Sequence, residues 1–234
     1  MPPFDHSGQT LGEDLGSWTP PPFPPWEALT GSLVTLEPLD TEAHGSGLFD
    51  SFSVAPDSTW TYMTFGPFMD EHDLKTTLRW MVDQPDWLPY AIVVDGEPRG
   101  FAAYLRIDPP NGVIEVGSVS FSPTLQKTAA ATEALFLLIS NGFDLGYRRV
   151  EWKCDSLNEP SRRAGIRLGF AYEGTFKKAT HYKGRNRDTA WFSMTDDEWS
   201  AIATAIRSWL EPTNFDESGT QLAALEAAQV RPGR

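Results

Sequence analysis

Glu115 is the one ionisable side chain in the run from Val113 to Phe121, which otherwise holds apolar or small residues. A carboxylate partly withdrawn from water has its pKa raised toward that of a useful base. An amine of pKa ~10 is mostly protonated at neutral pH, and a base in place must take its proton before the nitrogen can attack an acyl carbon. Positioned proton transfer of this kind is worth about 10²–10⁴ in rate. The same residue would equally serve as a strand-end carboxylate paired with a nearby arginine, Arg106 or Arg149. His181 is the second choice of base, although histidines on exposed hairpins are usually plain.

The second chemical feature follows at once. The β-rich run stops at Pro123 and gives way through Gln126, Lys127 and Thr128 to an alanine-rich helical pattern from Ala129, Ala130 and Ala131 onward. A strand feeding a helix start presents unpartnered N–H groups and the positive end of the peptide dipoles, so the turn suits a phosphate or diphosphate. Other chemistries are missing. There is no G-x-S-x-G, P-loop or G-x-G-x-x-G pattern. His6, His44, His72 and His181 have neither the spacing nor the cysteine company of a metal site, so no metal is expected. Cys154 ends an apolar strand, where a cysteine is far more often a small buried hydrophobe than a nucleophile.

The elements that must position these groups can be read from periodicity. Residues 33–36 alternate as a first strand ended by Pro38, residues 41–52 form a weak helix interrupted by Gly45 and Gly47, and Asp70 caps a second helix running to about residue 84. Between the helices lies an aromatic segment with Trp60, Tyr62, Met63 and Phe65, which would serve as core or as the wall of an acceptor pocket. A hairpin over 90–94 and 100–107 leads into the strand 113–121. The helix after it buries Leu135, Leu138, Ile139, Gly142 and Phe143 at helical spacing. A strand over 148–154 and a short helix capped by Asn158 follow. A last hairpin over 172–182 and 188–194 and a helix over 196–210 complete the pattern. The order β-α-α-β-β-β-α-β-α-β-β implies an α/β fold with a mixed sheet rather than a parallel doubly wound one.

Charge sharpens this. The net charge of −13 argues against general binding to nucleic acid or anionic membrane. Yet residues 120–195 hold 12 Lys/Arg against 7 Asp/Glu, a basic island in an acidic molecule, which favours an anionic ligand beside the proposed phosphate turn. Residues 1–31 are proline-rich, with Trp18, Phe23 and Trp26 expected to pack on the domain or on a partner subunit. One cysteine, no secretion signal and no apolar run near 18 residues lead to the expectation of a soluble, cytoplasmic protein. The apolar arm and acidic tail are features a homodimer would use.

The strand, the turn Gln126-Lys127-Thr128-Ala129-Ala130-Ala131, and Asn158 and Ser161 leading to Leu168-Gly169-Phe170 together carry a resemblance. The chain resembles the GNAT superfamily of acetyl-CoA-dependent N-acetyltransferases, in its branch similar to the RimJ/RimL ribosomal-protein acetyltransferases. The motifs are strand–Q-x-x-G/A-x-G/A–helix and N-x-x-S…LGF, and the likeness spans about residues 31–199. It implies a GNAT domain over 32–199, preceded by the arm of 1–31 and followed by a C-terminal helix and tail over 200–234. It implies acetyl-CoA as co-substrate, its diphosphate on the amides of 126–131 and its pantetheine along the backbone near Val119 and Phe121. Asn158 and Ser161 would face the pantetheine arm and thiol, while Lys127, Arg162 and Arg163 suit the phosphates on charge grounds. The acceptor would be a primary amine, on a protein N-terminus or a small molecule such as an antibiotic or aminoacyl nucleotide, with Trp60, Tyr62, Met63, Phe65 and His181 near it.

Two departures stand out. Alanines replace the usual glycines at 129 and 131, so the loop is expected to avoid positive φ and start the helix directly. Gly165 stands where many relatives carry a tyrosine that protonates the leaving thiolate, which leaves Ser161 or water for that task. The alternative is a non-catalytic acyl-CoA-binding module that kept the fold and lost turnover.

Overall fold

Strand-forming runs and amphipathic helices assemble as their periodicity predicts, into one mixed sheet with helices on both faces. The computed structural model describes residues 4–230. In chain order the elements are β1 (Leu29–Thr30), β2 (Thr35–Pro38), α1 (Thr41–Ser53), α2 (Glu71–Val82), β3 (Leu88–Val94), β4 (Glu97–Asp108) and β5 (Val113–Phe121). There follow α3 (Ala129–Asp144), β6 (Arg149–Asp155), α4 (Glu159–Arg167), β7 (Ala171–Tyr182), β8 (Arg185–Thr195) and α5 (Asp196–Leu210). The sheet has eight strands in the order β1-β2-β3-β4-β5-β6-β8-β7. The β5–β6 pair is parallel and the other neighbours are antiparallel.

Alternation along the strands divides the interior. Ile114, Val116, Val150 and Trp152 face one side and pack with Leu135, Leu138 and Ile139 of α3 and Ile202 of α5. Ala91 and Phe101 face the other, against Leu48 and Phe52 of α1 and Leu74, Leu78 and Met81 of α2. The α1 helix forms despite its glycines because they are close-approach positions. A Cβ on Gly45 would lie 2.5 Å from the Lys75 side chain, and one on Gly47 would lie 2.6 Å from Pro98.

Three segments differ from expectation. The two-residue β1 lies at the end of the proline-rich arm, where no strand was expected, and adds an eighth strand beside β2. The strand expected over 33–36 begins two residues later, because the amides of Ser32, Leu33 and Val34 all donate to the carboxylate of Glu133 on α3, at 2.9, 2.6 and 3.0 Å. Groups so engaged cannot join a ladder. The weakly patterned tail folds back, burying Leu225 and Ala227 near α5, where Trp209 Nε1 donates to the Ala223 carbonyl. The proline-rich arm lies on the domain. Trp26 Nε1 donates to the Pro89 carbonyl, the Tyr147 hydroxyl donates to the Pro22 carbonyl, and the Arg148 guanidinium lies over Trp18.

Candidate active site

The parallel strands β5 and β6 pair only at Val113↔Arg149, Ile114↔Val150 and Glu115↔Glu151. Beyond that point they part. Meanwhile β5 stays laddered to β4 out to Gly100↔Phe121, and β6 stays laddered to β8 out to Asp155↔Thr189. The result is a wedge opened inside an otherwise continuous sheet, lined by backbone that would otherwise be hydrogen-bonded. Along the β5 side of the wedge the register slips between Ala103↔Gly117 and Phe101↔Ser120, and Ser118 sits at φ 50°. A bulge of this kind leaves one backbone unit outside the ladder and re-aims it. Val119 and Phe121 are half-buried on this rim.

At the open end the chain turns into α3. The helix does begin at Ala129, with the Thr128 hydroxyl accepting from the Ala131 amide at 3.1 Å. The expectation that the loop avoids positive φ does not hold, since Lys127 lies at φ 63°. Once glycine is absent from 129 and 131, the left-handed residue is the one just before the cap, and its long exposed side chain leaves the interior undisturbed. Three of the six amides in the turn are used internally: Gln126 donates to Ser122, Thr128 to Leu125, and Ala131 to Thr128. Those of Lys127, Ala129 and Ala130 have no protein acceptor among the described residues. The Gln126 side chain folds back to donate to the Phe121 carbonyl. Beside this helix start a pocket of about 210 Å³ is lined by Thr124, Leu125, Thr128, Ala130 and Arg99, a cation that no local pattern in the sequence connects to the turn.

The α4 helix flanks the other strand. Asn158 caps it, its Oδ1 accepting from the Ser161 amide at 3.2 Å, and Ser161 Oγ accepts from Trp152 Nε1 at 3.1 Å. Burial pushes the Cys154 thiol up, while the nearby Ser161 hydroxyl pulls it down. Arg162 lies over the Tyr172 ring with its Nε buried and unpartnered, and Arg163 is exposed with a weak contact to Glu159. Gly165 faces Trp152, where a Cβ would lie 3.2 Å from the indole Cδ1. The indole thus occupies the space a tyrosine at 165 would need.

Glu115 faces the opposite side of the sheet and is 6% exposed. Burial pushes its carboxyl above the ordinary range, with the Lys153 ammonium opposing. The sequence offered Arg106 or Arg149 as a partner. Arg106 is one partner, its Nε 3.6 Å from Glu115 Oε2, and Lys153, which the sequence did not single out, donates to the same oxygen at 2.7 Å. Arg149 pairs with Glu151 and Glu173. Arg106 reaches this face because β4 bulges between Leu105 and Asp108, with Arg106 at φ 47°. The second oxygen, Oε1, lies over Gly117, whose Cβ would come within 3.1 Å of it. It has no hydrogen-bond partner among the described residues, and it points along β5 toward the place where the strands separate. Strand alternation in the sequence put Lys153 on one face with Glu151; only the β5–β6 register brings Glu115 to it.

The aromatic segment is largely spoken for by packing. Trp60 is buried edge-on to Phe52 and Phe68, and Phe65 packs against Trp60 and Phe101. Tyr62 and Met63 remain half-buried. A pocket of about 220 Å³ lined by Phe52, Trp60 and Phe68 takes no residue from β5 or β6. The β7–β8 hairpin closes over this segment, Lys183 Nζ donating to the carbonyls of Trp60 and Phe65 at 2.8 and 3.2 Å. His181 is exposed beside the hairpin tip. Among the described residues no group of three or more acidic, histidine or cysteine side chains is placed to hold a metal ion, and no helix is long and apolar enough to cross a membrane.

A sheet that splits beside an anion-receptive helix start, with a buried carboxylate where the strands part, is a site that could hold a phosphate-bearing ligand along the β5 backbone. Residues 34–171 match the model of the Acetyltransferase (GNAT) domain, and the chain belongs to that family of acetyl-CoA-dependent N-acetyltransferases. It is 42% identical to a GCN5-related N-acetyltransferase from Brucella melitensis, with a TM-score of 0.89, covering 92% of this chain and 99% of that one. It is 30% identical over 109 residues to the prophage-derived N-acetyltransferase YokL of Bacillus subtilis, a match spanning 47% of this chain and 62% of YokL. The fold, at 19% identity and a TM-score of 0.62, is also that of a Salmonella typhimurium acetyl transferase that modifies the N-terminal serine of 50S ribosomal subunit protein L7/L12. That likeness covers 72% of this chain and 99% of the Salmonella one.

Proposed function

We propose that this protein transfers an acetyl group from acetyl-CoA directly to a primary amine, with Glu115 as general base and the acceptor an N-terminal amine of a polypeptide. The observation that carries the reading is the separation of β5 and β6 immediately after Glu115↔Glu151. It sets a carboxylate at the apex of a wedge that a thioester can enter from the side of α3 and α4 and an amine from the other. The free amides of Lys127, Ala129 and Ala130 would hold the diphosphate, and Lys127, Arg162 and Arg163 would add charge nearby. The β5 backbone near Val119 and Phe121 would carry the pantetheine.

The ammonium of the acceptor gives its proton to Glu115, and the nitrogen attacks the thioester carbon. The oxyanion that forms is stabilised by a backbone N–H re-aimed by the bulge at Ser118. The C–S bond then breaks, and the second proton of the attacking nitrogen passes, relayed by Ser161 or water, to the leaving thiolate. Ser161 is oriented for this by the Trp152 indole, which donates to its oxygen, and by the Cys154 thiol, which its hydroxyl meets. An N-terminal amine is favoured over a small molecule because Trp60 and Phe65 are engaged in packing rather than lining the wedge. The reaction of the Salmonella relative supports the same choice.

The test is thiol release from acetyl-CoA with a panel of peptides of free N-terminus, polyamines and aminoglycosides. Peptide-dependent release is expected, and Glu115→Gln should lower kcat by about 10²–10⁴ with CoA affinity nearly unchanged. Full kcat in that variant would place the base elsewhere. Tight CoA binding without turnover on any acceptor would make the protein a binding module.

A further inference from the structure

On the face of the sheet that carries Glu115, β6 and β8 supply Lys153 and Trp191, paired across the ladder. The Lys153 side chain is 7% exposed. Its Nζ bonds Glu115 Oε2 at 2.7 Å, lies 3.0 Å from Glu151 Oε2, and sits 3.7 Å from the centre of the Trp191 ring. An ammonium this deep needs its water replaced, and here two carboxylates and an aromatic face replace it. The arrangement is asymmetric at Glu115. One oxygen is held, and the other lies over Gly117, where the absence of a side chain leaves room for it.

We propose that Lys153 is the positioning residue of this site: by holding Oε2 it keeps Oε1 turned into the wedge as the atom that receives the acceptor's proton. The proposal rests on the reading of Glu115 as base. The charged groups facing the pair are Glu115 from β5, Glu151 from β6 and Arg106 from β4. Arg149 of β6 is drawn away by Glu151 and by Glu173 of β7. Two carboxylates therefore share one buried ammonium, and how Lys153 divides between them governs the pH at which Glu115 becomes a base. Without Lys153, burial and the Glu151 charge act on Glu115 unopposed except by the more distant Arg106, and it stays protonated to higher pH. With Glu151 neutral, Lys153 serves Glu115 alone, and the base ionises at lower pH.

The experiment follows the Glu115 carboxyl by carbon-13 NMR across pH in the wild type, Lys153→Met, Lys153→Arg and Glu151→Gln, its resonance assigned by its loss in Glu115→Gln. In parallel, kcat/KM for acetyl-CoA with a short serine-initiated peptide is measured against pH. In Lys153→Met the carboxyl should titrate at higher pH, and kcat/KM on the acid side of its profile should fall about tenfold or more. Lys153→Arg should restore most of the profile, and Glu151→Gln should move it to lower pH. A Glu115 resonance that titrates at the same pH in all these variants overturns the proposal, even where activity is reduced. The titration needs no acceptor, and Glu151→Gln and Lys153→Arg decide the matter if Lys153→Met does not fold. Full kcat in Glu115→Gln is a different result, and it overturns the reading of the base itself.

Discussion

At position 165 a Cβ would meet Trp152 at 3.2 Å, and that indole donates to Ser161. A tyrosine placed here as Gly165→Tyr should therefore not create an acid for the thiolate. It should overpack the α4–β6 contact, costing about 1–3 kcal/mol, with a lower Tm and no gain in kcat. At position 117 the constraint is of the same kind on the opposite face. Gly117→Ala would press on Glu115 Oε1 and, at 2.6 Å, on Leu105 Cδ1. It should lower kcat more than it weakens CoA binding, read from steady-state kinetics and calorimetry. As the proposed base, Glu115 would act as the carboxylate, and burial raises its pKa above the ordinary 4.5. The wild-type rate should accordingly fall as pH drops through that raised value, so the acid limb of kcat/KM stands above the usual carboxylate range.

Among the elements, α3 does two jobs with its first turns. Its cap residue Thr128 orders the turn, and Glu133, one turn further along, pins the chain between β1 and β2. Thr128→Ala should cost about 1 kcal/mol of stability and weaken CoA binding, because the amides proposed to hold the diphosphate lose their frame. Glu133→Ala should act elsewhere. Of the three amides it abandons, Ser32 and Leu33 are exposed and can turn to water, while Val34 is buried. The loss is then set by one buried amide, about 1–3 kcal/mol, and faster hydrogen exchange at Val34 would report it while CoA affinity stays near wild type.

For the molecule as a whole, charge is segregated. The −13 total coexists with a basic block from 120 to 195, and the structure divides that block between two tasks. Lys127, Arg162 and Arg163 border the helix starts where acetyl-CoA is proposed to lie, whereas Arg149 and Lys153 are consumed by buried or half-buried carboxylates on the opposite face. Exposed charges are screened and buried ones far less. Raising salt to about 1 M, where the screening length is ~3 Å, should weaken CoA binding. The pH profile set by Glu115 and Lys153 should hardly move.

Local signals made most of the scaffold legible. The order of strands and helices, the caps at Asp70 and Asn158, and the strand–turn–helix at 113–129 rest on periodicity and short-range hydrogen bonding. These survive in any window of sequence. The displaced first strand was not legible, because its amides bond to Glu133 about a hundred residues away. Nor was the positive φ at Lys127, which the tight turn demands of whichever residue falls there. The sequence alone determined the fold class, the candidate carboxylate and the turn that could take a phosphate. Tertiary structure decided that Glu115 is held by Lys153, which amides stay free, and where the sheet opens. Those depend on the register of β5 against β6, two strands joined only through α3, and no local pattern encodes a register between segments that meet only after the chain has crossed over.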